Sequence, residues 1–152
     1  MRRQDLARHP DMEPMQLFQH LDVNNSGAIS ANELFDFMSK QFLNPRYSDA
    51  DDIIREYDGN QNRRLDFDEF CQLVLPSTNP NLRHIATTRR FSPYYRATAP
   101  IPYEVLSLAG RLLDKEMQLH RNRSEAARQL ASCADFVKVR VFDSIARGYH
   151  AI

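Results

Sequence analysis

The apolar residues in the first half of the chain recur with helical periodicity on both sides of two polar stretches. Before each stretch they stand five, four and one positions ahead of its first residue; after it they follow its last residue by one, four and five positions. Such spacing places them on one face of a helix, and we predict two helix-loop-helix units. The residues at these offsets are Leu17, Phe18, Leu21, Leu34, Phe37 and Met38, then Ile53, Ile54, Tyr57, Phe70, Leu73 and Val74.

The two polar stretches, Asp22–Glu33 and Asp58–Glu69, carry oxygen-bearing side chains at positions 1, 3, 5, 9 and 12 of a twelve-residue loop. Ca²⁺ takes six to eight oxygen ligands, and such a loop also supplies the backbone carbonyl of position 7. The spacing therefore predicts two calcium sites. Their candidate ligands are Asp22, Asn24, Ser26, Ala28, Ser30 and Glu33 in the first loop, and Asp58, Asn60, Asn62, Arg64, Asp66 and Glu69 in the second.

The two loops differ at position 6 and in charge. Gly27 stands where the first loop must turn sharply, whereas the second loop has Arg63 there. A non-glycine residue in left-handed backbone conformation costs roughly 1–2 kcal/mol, so the second loop is expected to be strained. The second loop has three carboxylate ligands against two in the first. At position 8, Ile29 and Leu65 are expected to form a short β-bridge between the loops.

Ligand spacing, helix faces and the separation of the loops together resemble the EF-hand superfamily, and specifically one calmodulin-like or centrin-like lobe over roughly residues 12–76. The resemblance implies Ca²⁺ as the bound ion. In a sensor of this kind, calcium would swing the helices apart and expose an apolar groove for a partner. The groove residues that the resemblance implies are Phe18, Phe37, Met38, Leu73 and Val74.

A net charge of zero conceals a division of charge at Pro76. Residues 1–76 contain 14 Asp and Glu against 8 Lys and Arg, while residues 77–152 contain 6 against 12. Such asymmetry suggests an acidic lobe joined to a basic effector segment. The basic half would bind an acidic protein partner or dock within the molecule onto the acidic lobe.

Residues 77–102 are expected to form a linker or an extended docking strap, because Pro76, Pro80, Pro93, Pro100 and Pro102 prevent a continuous helix. Aromatic anchors with arginines between them can bind a surface without a core of their own. The candidate partner-binding residues of this strap are Arg89, Arg90, Phe91, Tyr94 and Tyr95.

Residues 103–152 are predicted to be a basic amphipathic helical extension, with a further helix beginning at Asp135. A basic amphipathic helix suits a calmodulin-type target, a membrane-surface helix or a docking helix for an acidic filament. Packing against the chain's own lobe is equally compatible with the pattern. No nucleic-acid recognition motif accompanies the basic charge, so nucleic-acid binding is not predicted.

The fold class predicted is therefore all-α: a paired EF-hand lobe in residues 1–76, the strap, and the helical extension. No nucleophile elbow or phosphate-binding glycine loop is present, and we expect no enzymatic activity. The leading hypothesis is a calcium-binding protein acting through protein–protein interaction, as a sensor or calcium-modulated adaptor. The alternative is a structural subunit of a larger assembly, such as a cytoskeletal or axonemal microtubule-associated complex.

Neither an apolar run long enough to span a bilayer nor the apolar core of a secretory signal is found in the sequence. We therefore expect a cytoplasmic protein, with the cytoskeleton or a ciliary axoneme as a candidate location. The two cysteines, Cys71 and Cys133, lack the spacing of a zinc site and are expected to be reduced.

Overall fold

A computed structural model describes residues 2–93, 95–96 and 99–146, with side chains described for residues 3–93, 95–96 and 99–131. The chain divides into two units, Met1–Met117 and Gln118–Ile152. Tyr94, one of the predicted partner-binding residues, lies outside the described residues.

Helices dominate both units, and the only strands of the described residues are two short ones in the polar loops. The elements are α1 (Arg2–Arg8), α2 (Pro14–Leu21), β1 (Ile29–Ser30), α3 (Ala31–Lys40), α4 (Tyr47–Tyr57), β2 (Arg64–Leu65), α5 (Phe67–Val74), α6 (Pro80–Thr88), a 3₁₀ turn (Arg89–Phe91) and α7 (Tyr103–Ala146). The all-α class is confirmed, with the helix-loop-helix pair formed by α2 to α5.

Strands β1 and β2 join the two loops. They are antiparallel, with Ile29 opposite Leu65 and Ser30 opposite Arg64. Both Ile29 and Leu65 are fully buried. The predicted bridge at position 8 of each loop is confirmed, and each strand satisfies backbone groups of the other.

Side chains cap the helices that border the loops. The Glu13 carboxylate at the N-terminus of α2 accepts hydrogen bonds from the backbone N–H groups of Met15 (2.8 Å) and Gln16 (3.0 Å). Ser30 and Asp66 begin α3 and α5 with capping boxes, in which the N-cap and the third helical residue exchange hydrogen bonds. Sequence-local chemistry therefore fixes where the helices begin.

One apolar core runs through the first unit. It takes in the inward faces of α2 to α5 and also residues of α1, α6 and the first part of α7. The α7 contribution is the predicted amphipathic stripe. Its buried members, none more than 3% exposed, are Val105, Ala109, Leu112, Leu113 and Met117. The first part of the extension therefore packs on the chain's own lobe, one of the arrangements that the sequence left open.

The strap is not extended throughout, contrary to the sequence-based expectation. Residues Pro80–Thr88 form α6 because Pro80 occupies the first turn, where its missing N–H costs nothing, and Asn79 caps the N-terminus through Leu82 N–H at 3.1 Å. Leu82 and Ala86 are buried on its inward face. Prolines that mark helix breaks in the interior of a pattern can equally mark a helix start.

Two further differences concern the ends of the described chain. Helix α7 continues through Gly110 and past Asp135 to Ala146, so the separate helix predicted from Asp135 is wrong. Helix α1 was not predicted. Its Leu6 and Ala7 are fully buried, but one short apolar pair gives too little periodicity to identify a seven-residue helix.

In the second unit, α7 residues 122–131 are exposed to solvent. Arg128 pairs with Glu125 one turn away, at 2.5 Å. Within the part of the chain that the structure describes, no helix has both the length and the apolar character needed to cross a membrane.

Candidate metal centre

The first loop is held in shape by backbone N–H groups that point at its own acidic side chains. Asp22 Oδ1 accepts from Ser26 N at 3.1 Å, and Asp22 Oδ2 accepts from Gly27 N at 2.8 Å. At the other end of the loop, Glu33 accepts from Asn24 N at 3.2 Å and from Ser30 N at 3.0 Å. The carboxylates of positions 1 and 12 thus organise the loop from both ends.

The second loop repeats this network position by position. Asp58 accepts from Asn62 N (3.2 Å) and Arg63 N (2.6 Å), while Glu69 accepts from Asn60 N (3.2 Å) and Asp66 N (3.0 Å). The two loops therefore have the same internal hydrogen bonds although they differ in sequence at positions 5 and 6.

The loops also share their backbone conformation, including its strained positions. Positions 4 and 6 are left-handed in both: Asn25 and Gly27 have φ of 56° and 85°, and Gln61 and Arg63 have 58° and 64°. Arg63 therefore adopts the unfavourable conformation predicted for it. A Cβ added to Gly27 would meet no atom within 4 Å, so the difference between the residues at position 6 is one of backbone energy rather than space.

The closing glutamates serve the helices as well as the loops. Glu33 and Glu69 are the third residues of the capping boxes of α3 and α5. Each carboxylate thus lies at a helix N-terminus, which favours negative charge. A movement of either carboxylate would be transmitted to the helix that it caps.

The donor chemistry fits a hard cation. Carboxylate, amide and hydroxyl oxygens at alternate positions, with the carbonyls of Ala28 and Arg64, are the ligands that Ca²⁺ takes. Within the described residues, no three His, Cys, Asp or Glu side chains gather into a metal-ligating group. In the second loop, Asp66 also caps α5, since its Oδ1 accepts from Glu69 N at 2.8 Å. In the first loop only Asp22 and Glu33 are acidic, and neutral oxygens supply the rest.

The predicted groove residues lie in the core rather than on a surface. None of the five is more than 5% exposed. Phe18 makes edge-to-face contacts with Phe67 and Phe70, at ring-centroid distances of 5.6 and 5.5 Å. The groove residues belong to one buried core with residues of α1, α6 and α7, so they are not accessible within the first unit. The groove residues are Phe18, Phe37, Met38, Leu73 and Val74.

A partly buried polar cluster lies where α1 and α7 meet the second hand. Arg3 of α1 donates to the Leu73 carbonyl at 2.7 Å and to Glu116 Oε1 at 3.1 Å. The Tyr57 hydroxyl also bonds Arg3 and donates to Glu116. Glu116, in α7, is 6% exposed. Burial, and then the hydrogen bond to Glu116, raise the pKa of Tyr57 far above its ordinary value.

Tyr57 is the last residue of α4 and directly precedes Asp58, the first ligand of the second loop. The cluster Arg3–Tyr57–Glu116 therefore joins α1, α7 and the start of a candidate calcium loop. Sequence reasoning noticed Tyr57 only as an apolar position. Two signals were present in the sequence. Tyr57 stands where the first hand has Leu21, and Glu116 interrupts the apolar stripe of α7.

The strap residues predicted to bind a partner mostly contact the chain itself. Arg89 donates to the Met12 carbonyl at 2.8 Å, and Arg90 lies over the rings of Phe67 and Phe91. Phe91 is exposed. Burial and then the nearby Glu13 carboxylate raise the pKa of Tyr95. Of the described residues in this predicted set, Phe91 alone presents a large apolar surface to solvent.

Comparison with known proteins agrees with the loop geometry. Residues 12–75 match the family model of the EF-hand domain pair. Over 76 residues the chain is 37% identical to an uncharacterized calcium-binding protein of Caenorhabditis elegans, covering 46% of this chain and 33% of that protein. Over 81 residues it is 35% identical to calcium-dependent protein kinase 21 of Arabidopsis thaliana, covering 53% and 15%. The chain thus spans a third or less of these curated relatives. No solved structure matches it significantly.

Proposed function

We propose that this chain, which belongs to the EF-hand superfamily through residues 12–75 and binds Ca²⁺, is a calcium-responsive interaction protein whose groove is covered by its own helices. Membership of this calcium-binding superfamily favours a binding role over catalysis. The ligands proposed are the twelve loop positions named above. The single observation that carries the proposal is the burial of all five groove residues in one core with residues of α1, α6 and α7.

The apolar stripe of α7 (Val105, Ala109, Leu112, Leu113 and Met117), here called the cover, resembles a bound peptide that a conformational change can release. The α7 stripe shares one buried core with the groove residues, and its side chains are of the kind that calmodulin-type targets present. Burial of each large apolar side chain contributes roughly 1.5–3 kcal/mol. The cover is attached to the second hand by one buried acidic residue, Glu116, whose partners Arg3 and Tyr57 come from other helices. A change in the angle between α4 and α5 would move Tyr57 away from that carboxylate.

The loops can produce such a change. Bound Ca²⁺ supplies a common centre of positive charge for the loop oxygens. Glu69 belongs to α5 and Asp58 follows α4, so drawing these carboxylates together reorients the two helices. Tyr57 then leaves Glu116 buried with one partner fewer, which costs about 1–3 kcal/mol. The expected result is release of α7 and exposure of the groove to a protein partner.

A second candidate function is a fixed assembly subunit, whose hands serve as architecture. The observation that favours it is that every buried side-chain nitrogen or oxygen in the described residues has a hydrogen-bond partner. No unpaired polar group among these residues therefore favours opening of the core. The basic charge after Pro76 favours an acidic partner in either case. A cytoskeletal or ciliary setting and a cytoplasmic location are hypotheses that go with this candidate.

Reactivity of Cys71 separates the two candidates. The thiol is buried in α5, and burial raises its pKa to about 11, so it should react slowly at neutral pH. In the full chain with Cys133→Ser, alkylation of Cys71 would be followed while calcium binding is measured by calorimetry. If calcium opens the lobe, alkylation should accelerate at least about tenfold. Binding of calcium with no change in rate would favour the fixed subunit.

A control for metal effects on the reagent is the same chain carrying Glu33→Gln and Glu69→Gln. Its alkylation rate should not respond to calcium, because both closing ligands are lost. If it responds as the parent does, the acceleration comes from elsewhere and the proposal fails.

A further inference from the structure

A second surface, outside the groove, exposes aromatic side chains where α3 ends and α7 begins. Phe42 is 93% exposed and Tyr103 is 79% exposed. Together they line a cleft of about 140 Å³, which Lys40, Gly110 and Arg111 also line. These five residues are here called the Phe42 cleft. Because Phe42 and Tyr103 line the same cleft, their exposed apolar surface is clustered rather than scattered, and clustered apolar surface is typical of interaction sites.

Phe42 is held in its exposed position at a conformational cost. It follows the C-cap of α3 in a left-handed conformation, with φ of 61°. Its N–H bonds the Ser39 carbonyl at 3.0 Å and the Leu43 N–H bonds the Met38 carbonyl at 3.2 Å, which is the Schellman pattern of helix termination. Glycine is the usual residue at this position, with Asn next. An exposed phenylalanine there is favoured neither by the backbone nor by burial.

The floor of the cleft carries a second local cost. Gly110 lies within α7, where glycine is about 1 kcal/mol less favourable than alanine. A Cβ at Gly110 would approach the Gln41 side chain to 3.2 Å, so glycine allows α7 to pass close to the end of α3. Local costs that a structure retains together at one surface point to a function there.

Charge selects the kind of partner. The cations beside the aromatic rings are Lys40 and Arg111, both exposed. The acidic residue at the start of α7, Glu104, bonds His9 at 3.1 Å. Lys40 has a single long contact to Asp36, at 3.9 Å, which is a weak exposed pair. The cleft therefore offers apolar contact between two positive charges.

We infer that the Phe42 cleft is a docking site for an acidic protein segment that inserts one apolar side chain between carboxylates. Its concave floor suits a side chain rather than a flat lipid surface. The site does not require the groove to open, because Lys40, Phe42, Tyr103 and Arg111 are exposed while the groove residues are buried. It therefore stands independently of the proposed calcium response.

The test is fluorescence anisotropy of a short dye-labelled peptide, in which a Phe-Leu pair is flanked by glutamates, against the full chain without calcium. Binding should weaken with salt, since the charge pairs are exposed. Phe42→Asn should weaken it about tenfold, as expected for an aromatic anchor. Because Asn tolerates the left-handed conformation, this variant should be at least as stable as the parent, so the loss cannot be attributed to unfolding.

Matched controls test the location. Ile85→Gln removes another exposed apolar side chain, on α6, and should leave binding unchanged. Arg111→Glu should weaken binding about tenfold, whereas Arg128→Glu, the same charge change in the second unit, should alter it less than about twofold.

Several outcomes would overturn the inference. One is equal affinity of the parent and Phe42→Asn; another is equal binding of a peptide with lysines in place of glutamates. Binding to phosphatidylserine vesicles that depends on Phe42, without peptide binding, would assign the surface to a membrane instead. Concentration-dependent dimerisation lost in Phe42→Asn would assign it to a second copy of the chain.

Discussion

The two hands of the lobe are alike inside their loops and different where the loops meet the rest of the molecule. Their carboxylates at positions 1 and 12 accept the same backbone bonds, and their left-handed residues fall at the same positions. At the residue just before the loop, however, the first hand has Leu21 in the apolar core, and the second has Tyr57 bonded to Arg3 and Glu116.

This difference suggests a division of roles between the hands. The first loop has glycine at its sharp turn and only apolar contact behind it. The second loop has Arg63 in the strained left-handed conformation, and Tyr57, just before the loop, donates a hydrogen bond to Glu116 of α7. We therefore expect calcium binding in both loops but communication with α7 chiefly from the second.

The largest expected effects come from removing one closing ligand at a time. Glu33→Gln and Glu69→Gln should each weaken calcium at their own loop by more than about 100-fold, beyond the 10–100-fold typical of outer-shell changes. Only Glu69→Gln should abolish the calcium-dependent alkylation of Cys71. Calorimetry and alkylation measure the two effects. Full stoichiometry retained in Glu33→Gln would show that the ligand assignment is wrong.

The next effect concerns the polar cluster. Tyr57→Phe and Glu116→Leu should each lower the free energy of unfolding by about 1–3 kcal/mol, because each removes a hydrogen-bond partner from the cluster. The double variant should lose less than the sum of the two, since they share one hydrogen bond. Urea unfolding of the calcium-free full chain would measure this. Tyr47→Phe, at an exposed tyrosine, is the control and should change stability by less than about 0.5 kcal/mol.

If the losses in stability at Tyr57 and Glu116 were additive, the two side chains would not share a hydrogen bond that stabilises the fold. The second hand would then be no more closely tied to α7 than the first.

Substitutions at loop position 6 are expected to change the free energy of unfolding by smaller amounts, with opposite signs in the two loops. Arg63→Gly relieves a left-handed strain of roughly 1–2 kcal/mol, of which about 0.5–1 is offset by glycine's greater flexibility in the unfolded chain. Stability should rise by up to about 1 kcal/mol, and Gly27→Arg should lower it by a similar amount. Thermal unfolding without calcium measures both. Equal effects of the same sign would show that space or charge, not backbone conformation, governs position 6.

The smallest effect is expected from charge in the first loop. Asn24→Asp gives that loop a third carboxylate and keeps an acceptor for Ser26 N, which Asn24 Oδ1 now binds at 3.2 Å. Calcium affinity at this loop should rise about threefold, as ligand charge count tunes such sites. The matched change Asn60→Asp adds a fourth carboxylate to the second loop and should gain less, because repulsion grows. A larger gain in the second loop would mean that its strain, not its charge, limits binding.

Local chemistry made much of the lobe predictable from the sequence. Ligand spacing, the apolar offsets and the position-8 pair all act over a few residues, and the helix pair and the bridge between Ile29 and Leu65 followed from them. The left-handed conformation of Arg63 followed from its place in the loop. The comparisons confirm the resemblance and Ca²⁺ as the ion, while the individual ligands stay a prediction.

The parts that sequence reasoning missed depend on contacts between distant segments. Arg3 and Glu116 are both unremarkable as sequence positions, yet each is the other's partner across the fold. The seven-residue α1 is stabilised by tertiary packing of Leu6 and Ala7, which no local pattern reports. Pro80 was read as a helix breaker, although its position after Asn79 also fits a helix start.

The most direct test of the account is hydrogen exchange of the full chain, measured by mass spectrometry with and without calcium. If calcium releases the cover, amides of residues 105–117 should exchange at least about tenfold faster with calcium, while the loop amides become more protected. Protection of the loops with unchanged exchange across residues 105–117 would contradict the account. The helix α7 would then be a permanent part of the lobe.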